Sequence, residues 1–166
     1  LNDYFYNSLD KDVQNNIVES TFNVGIYTDV DEITTSQKVG LLDINQYTRA
    51  GERNSYLDIK INWWLGNRQD NSYFYRVTDL GSPYHSSKTS TISVRPVIKI
   101  YDVTITGGNG TLKSNYETGV KSTSTSNIQV GEYINVPYSG TDNACGSDNK
   151  CTFRVVSKDS DSIKVI

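Results

Sequence analysis

Cys145 and Cys151 bracket Gly146-Ser147-Asp148-Asn149-Lys150 and are the 2 cysteines of this 166-residue chain. A tip so rich in turn formers is easily closed by a disulfide in an oxidising compartment, and with no His or further Cys beside it the pair lacks the ligands of a zinc site. Closing so short a loop contributes on the order of 2 kcal/mol in the chain-entropy picture. The other reactive groups are scattered. Asp29, Asp31 and Glu32 crowd one polar stretch, but their spacing departs from the EF-hand pattern and reads as a solvated turn. The single histidine, His85, falls in residues 79–91, where Gly81 and Pro83 suggest a loop, so it reads as a surface residue. Arg95 stands between Val94, Pro96 and Val97, and its five donors must be met by carbonyls or a carboxylate. A clamp on loop carbonyls is the reading adopted. No nucleophile elbow, phosphate loop or zinc spacing is present, so the sequence reads as non-enzymatic, with no cofactor and no metal.

The elements that would position these groups are mainly strands. Trp63 and Trp64 sit side by side, and in a strand they must point to opposite faces, so they cannot share one core unless both faces are covered. With Arg95 they form the expected structural nucleus. The hydrophobic share is 36% and the charged share 21%, so the polarity comes largely from Asn, Ser, Thr and Gly; with 12 Tyr and no Met this suits a β-rich domain outside the cell. The missing Met suggests a segment without its initiator. A net charge of −3 leaves no footprint for nucleic acid or an anionic membrane. No run approaches the roughly 18 apolar residues of a membrane span, and no signal peptide opens the chain.

Along the chain, Leu1, Phe5, Leu9, Val13 and Ile17 recur as a helical stripe over residues 1–20, expected as two short helices with a break near Asn7 and a cap from Ser8. Phe22, Val24 and Ile26 alternate over 21–27 as a strand would, and 38–42 is a second strand. Asp43 with Gln46 resembles a capping box, and Gly51 would end the helix it starts. Strands are expected at 73–78 and 94–106, then a reversal at 107–111 that contains an Asn109-Gly110-Thr111 sequon. Residues 112–127 read as a linker. Beyond it lie short strands at 128–136, 152–157 and 162–166, the last two joined by a hairpin-like turn. Some forty residues in two or three strands cannot keep a core alone and must pack on something larger. Lys99 and Lys164 lie within strands; they read as ordinary exposed lysines, although pilin-like isopeptide links use such positions.

Leu1-Asn2-Asp3-Tyr4-Phe5, Phe22-Asn23-Val24-Gly25, Lys38-Val39-Gly40-Leu41-Leu42, Trp63-Trp64-Leu65, Val94-Arg95-Pro96-Val97 and Gly107-Gly108-Asn109-Gly110-Thr111 occur in an order that resembles a family of surface modules of Gram-positive gut and related bacteria. The family is pilin-associated or arrayed in tandem, and distantly like the C-type-lectin-like and formylglycine-generating-enzyme-like folds. The resemblance covers nearly all of residues 1–111. It implies an α+β fold: a C-type-lectin-like module with short N-terminal helices and a mainly antiparallel sheet, followed by a C-terminal β-hairpin. In that family the hairpin usually comes first; here Val130-Gly131-Glu132-Tyr133-Ile134-Asn135 and Phe153-Arg154-Val155-Val156-Ser157 come last, as though the chain were permuted.

Three divisions follow: a surface module over 1–111, a linker over 112–127, and a hairpin segment over 128–166 that completes the same or a neighbouring module. If it completes a neighbour, Val130, Tyr133, Ile134, Phe153, Val155, Ile163 and Val165 supply a head-to-tail joint and the copies form a filament. The expected function is an extracellular structural or adhesive module of a bacterial surface. The alternative is a lectin-like carbohydrate- or peptide-binding domain using Tyr73, Tyr75 and Tyr84 as a stacking platform for a host glycan or protein; the calcium-sugar motifs of C-type lectins are absent.

Overall fold

The structure, a computed structural model, describes residues 1–28, 33–53, 55, 57–101, 104–108, 111, 115–119, 128–138, 145, 150–160 and 162–166. The chain forms two compact units, Leu1–Ser20 with Val97–Ile166, and Thr21–Pro96.

In the first unit the N-terminal stripe makes two short helices, α1 (Phe5–Ser8) and α2 (Lys11–Asn16), and buries Leu9, Val13 and Ile17. The expected break near Asn7 falls instead at Leu9 and Asp10. Ser8 does not cap α2: its Oγ donates to Tyr4 O at 2.8 Å, and the N-cap is Asp10, whose side chain makes no capping bond. Gln14 instead ties the break together, donating from Nε2 to Leu9 O at 2.6 Å. Helix also stops short of Ser20, because the β-branched pair Ile17-Val18 turns extended as β1 (Ile17–Val18).

The second unit opens one residue into β2 (Ser20–Asn23), which pairs with β3 (Thr34–Gln37) in a two-stranded sheet. The strand expected over 21–27 thus ends at Asn23, and Ile26 makes only an isolated bridge to Arg68. The next elements are β4 (Val39–Gly40) and α3 (Ile44–Arg49). Helix α3 carries the expected capping box: Asp43 Oδ1 accepts from Gln46 N at 2.8 Å and Gln46 Oε1 from Asp43 N at 3.2 Å. Gly51, at φ +96°, follows its end. The three-stranded sheet of β5 (Trp63–Arg68), β6 (Tyr73–Val77) and β7 (Pro83–Ser87) is antiparallel throughout. Strand β7 corrects the loop expected over 79–91. Gly81 at φ +73° and Ser82 supply the turn, and Pro83 opens an edge strand, where a missing N–H costs the ladder nothing. Asn67, buried in β5, accepts from Ile44 N at 2.8 Å and donates to Asn23 Oδ1 at 3.1 Å, so it ties α3 and the end of β2 to the sheet.

The chain re-enters the first unit at β8 (Val97–Tyr101) and continues with β9 (Thr104–Gly107), β10 (Tyr116–Gly119), β11 (Tyr133–Pro137), β12 (Lys150–Lys158) and β13 (Ser162–Val165). Their order in the sheet, with β1 at one end, is β1-β8-β13-β12-β11-β10-β9; β10 and β11 run parallel and the other neighbours antiparallel. The single strand expected over 94–106 is two, and Val94, Arg95 and Pro96 precede the first of them. Strand β10 lies inside 112–127, the stretch read as linker; except for Asn115, the remainder of that stretch is outside the described residues. Ile98, Ile100, Ile134, Phe153, Val155, Ile163 and Val165 are all buried, and Phe5 of α1 meets Phe153 edge-on with ring centroids 6.2 Å apart. The fold is mixed α and β, rich in mostly antiparallel sheet and carrying few, short helices. Among the described residues no helix is long and apolar enough to cross a membrane.

Candidate binding face on the three-stranded sheet

The alternation of β5 separates the two tryptophans. Trp63 aligns with Val77 of β6 and through it with Pro83 of β7; Trp64 aligns with Arg76 and through it with Tyr84. Directly paired residues share a face, so these two rows lie on opposite sides of the sheet. The first row is core: Trp63 and Val77 are buried, and Tyr47 meets the Trp63 ring edge-on at 5.6 Å. Arg95 closes this nucleus. Its guanidinium carbon lies 4.7 Å from the centre of a Trp63 ring and its Nη1 donates to Leu57 O at 2.9 Å, a loop carbonyl. Burial, followed by the charges of Asp58 and Glu52, pushes the Tyr47 hydroxyl up to about 12, and it donates to Gly81 O at 2.9 Å.

The second row is accessible. Trp64 and Arg76 are half-buried, and Tyr84 is 55% exposed. Arg76 lies between them, donating from Nε to Ser86 Oγ at 2.6 Å and from Nη1 to Asn62 Oδ1, with its guanidinium carbon 5.8 Å from the Tyr84 ring centre. One row along, Phe74 pairs with Ser86 on this same face.

The three tyrosines expected as one platform are therefore divided by strand parity. Tyr73 and Tyr75 share the Trp63 side, whereas Tyr84 belongs to the Trp64 side. The ring of His85 links two of them: Tyr84 stacks on it at 4.7 Å and it meets Tyr73 edge-on at 5.6 Å, while Tyr75 meets Tyr27 at 5.7 Å. Burial, with a lesser contribution from Tyr27, raises the pKa of Tyr75. His85 is half-buried in a strand rather than placed on a loop. Sequence reasoning passed over Arg76, Asn62 and Ser86. Asn62 adjoins the tryptophan pair, but its link to Arg76 depends on the pairing register of β5 with β6.

The remaining expected residues lie elsewhere. Cys145 and Cys151 form a disulfide with Cα atoms 4.6 Å apart; residues 146–149 of its tip are outside the described residues, as are Asp29, Asp31 and Glu32 and the first two residues of the sequon. Tyr133 and Ile134 are in β11, Phe153 and Val155 in β12, Ile163 and Val165 in β13. Val130 is not in a strand but in an exposed turn, because Gly131 at φ +94° bends the chain before β11 begins. Strands β12 and β13 each have both neighbours in the same chain, so the C-terminal hairpin is paired into its own chain's sheet. Lys99 is opposite Lys164 and pairs with Asp159 at 2.8 Å; that hydrogen bond and the Lys99 charge hold the Asp159 carboxyl below its usual range.

Compared with protein-family models, curated proteins and solved structures, the chain finds no match. The class is set by the fold: a sheet-rich protein of two units with one disulfide and an aromatic sheet face open to solvent.

Proposed function

We propose that this chain is a non-enzymatic extracellular module with an adhesive role, and that the sheet of β5, β6 and β7 is its contact surface. The observation that carries this is the exposure of Tyr73 and Tyr84, 44% and 55%, one on each face of a short, hydrogen-bonded sheet and joined by the ring of His85. Rings held on strands have little conformational entropy left to lose, and they present both an apolar face and a polar tip to a partner. The Cys145–Cys151 disulfide supports an extracellular setting. A C-type-lectin-like arrangement belongs to the same proposal, supported by the Arg95 stack on Trp63, which joins the Val-Arg-Pro-Val and Trp-Trp-Leu motifs. Arrays of glycans and of extracellular host proteins, probed with the whole chain and with the Tyr73→Ala/Tyr84→Ala double variant, test it. Binding that the double variant loses supports adhesion through this sheet. Silence on both arrays, or binding indifferent to the two tyrosines, overturns it.

A further inference from the structure

The row Trp64, Arg76, Tyr84 combines two aromatic rings with a cation placed between them. Tyr84 is two strands from Trp64, about 10 Å at ordinary strand spacing. Arg76 has neutral partners, Asn62 and Ser86, and among the described residues no carboxylate pairs with it. Those two contacts fix the guanidinium through Nε and Nη1, with its carbon 5.8 Å from the Tyr84 ring centre, and Nη2 has no hydrogen-bond partner among the described residues. A planar fork held in place next to a stacking surface is complementary to one kind of group: a carboxylate attached to a flat, C–H-lined ring.

We infer that this face binds an acidic saccharide, with the carboxylate of a uronic- or sialic-acid unit on Arg76 and pyranose faces stacked on Trp64 and Tyr84. This rests on the adhesive reading above and names its ligand class. Charge complementarity selects the acidic sugar over a neutral one, since an unanswered guanidinium gains most from an anion. The rings select a saccharide over an acidic peptide, which would use the charge and leave two aromatic surfaces unfilled. Ser86 and Asn62 act as positioning residues for Arg76.

The test is titration calorimetry of the whole chain with tri-galacturonate and with its fully methyl-esterified form, which keeps the rings and removes the charge. The acid is expected to bind roughly tenfold or more tighter than the ester, the advantage of a charge-assisted hydrogen bond over a neutral one. That advantage shrinks as salt rises. Arg76→Gln removes the preference for the acid, and Arg76→Lys restores only part of it. Because Arg76 also holds Ser86 and Asn62, Tyr84→Ser serves as the second variant: its side chain is exposed, so the fold is retained while affinity for acid and ester falls together. Tyr4→Ala, an exposed tyrosine of the other unit, leaves both affinities unchanged. Equal binding of acid and ester, equal binding of a tri-glutamate peptide, or an unaltered preference in Arg76→Gln overturns the inference. If neutral glycans or proteins bind the arrays through Tyr73 and Tyr84 while the uronate does not, the adhesive reading stands and this inference alone falls.

Discussion

Arg95 holds its guanidinium carbon 4.7 Å from the centre of a Trp63 ring, and Trp63 has no exposed surface. A cation on a desolvated π face, also bonded to Leu57 O, is the kind of contact whose loss is felt throughout a small unit. Arg95→Ala is expected to destabilise by about 2–3 kcal/mol, from a stacked cation–π contact plus a charged hydrogen bond. Arg95→Lys should recover less than half of that, since an ammonium lacks the planar stack. Urea unfolding followed by tryptophan fluorescence reads both values, and an Arg95→Ala midpoint equal to that of the parent would deny the contact its structural role.

Tyr47 gives a pH signature. Its folded pKa, about 12, lies above the ordinary value of 10.0, so between these the unfolded chain loses the phenolic proton while the folded chain keeps it. Stability linked to Tyr47 is therefore complete below pH 10, is lost as pH rises through that window, and is gone above it. Tyr47→Phe should cost about 1–3 kcal/mol at neutral pH, because Gly81 O loses its donor, and should flatten the alkaline part of the profile. Thermal unfolding from pH 8 to 11 on both proteins checks this; parallel profiles would contradict it.

Gly40 is a packing requirement. A Cβ there would come within 2.4 Å of the Phe22 ring, and Phe22 is buried. Gly40→Ala should destabilise by about 1–3 kcal/mol through overpacking, and Gly40→Ala combined with Phe22→Leu should recover part of the loss. A double-mutant cycle in urea with no coupling between the two sites would rule out the clash.

Cys145 and Cys151 close a loop of sequence separation 6 beside β12. The double substitution to Ser, or reduction, should lower stability by roughly 2 kcal/mol, the loop-closure value for so short a span. Differential scanning calorimetry with and without reductant measures it. A melting temperature insensitive to reductant would mean that the bridge does not restrain the unfolded chain.

Lys99 and Asp159 form an ion pair that is mostly exposed, so its contribution is small. Because the folded carboxyl pKa is depressed, the contribution is present above the ordinary carboxylate range and disappears as pH falls through the folded value. Asp159→Asn should shift stability by less than about 1 kcal/mol at neutral pH and by progressively less as pH falls through the carboxyl's titration. A large effect, or one that grows with acid, would contradict the pairing.

Local signals were legible in the chain because they are read within a few residues. The capping box at Asp43 and Gln46, the burial of the N-terminal apolar stripe at Leu9 and Val13, the opposed faces of Trp63 and Trp64, and the Cys145–Cys151 pairing need only the chemistry of near neighbours. Where two local signals competed, the nonlocal partner decided. Pro83 and Gly81 mark residues 79–91 as a loop until β6 offers five paired residues to β7, and Tyr116–Gly119 is featureless until β9 and β11 flank it.

From the sequence alone come a β-rich composition, a short disulfide loop, an amphipathic start and a C-terminal hairpin too small to stand unaided. Only the tertiary structure determined that this hairpin completes its own chain's sheet, that Tyr84 is parted from Tyr73 and Tyr75, and that Arg76 lies in line with Trp64 and Tyr84. The reason is register: a strand's faces alternate with a period of two, so which residues meet across a sheet is set by pairings between distant segments, and a slip of one residue would reverse them all.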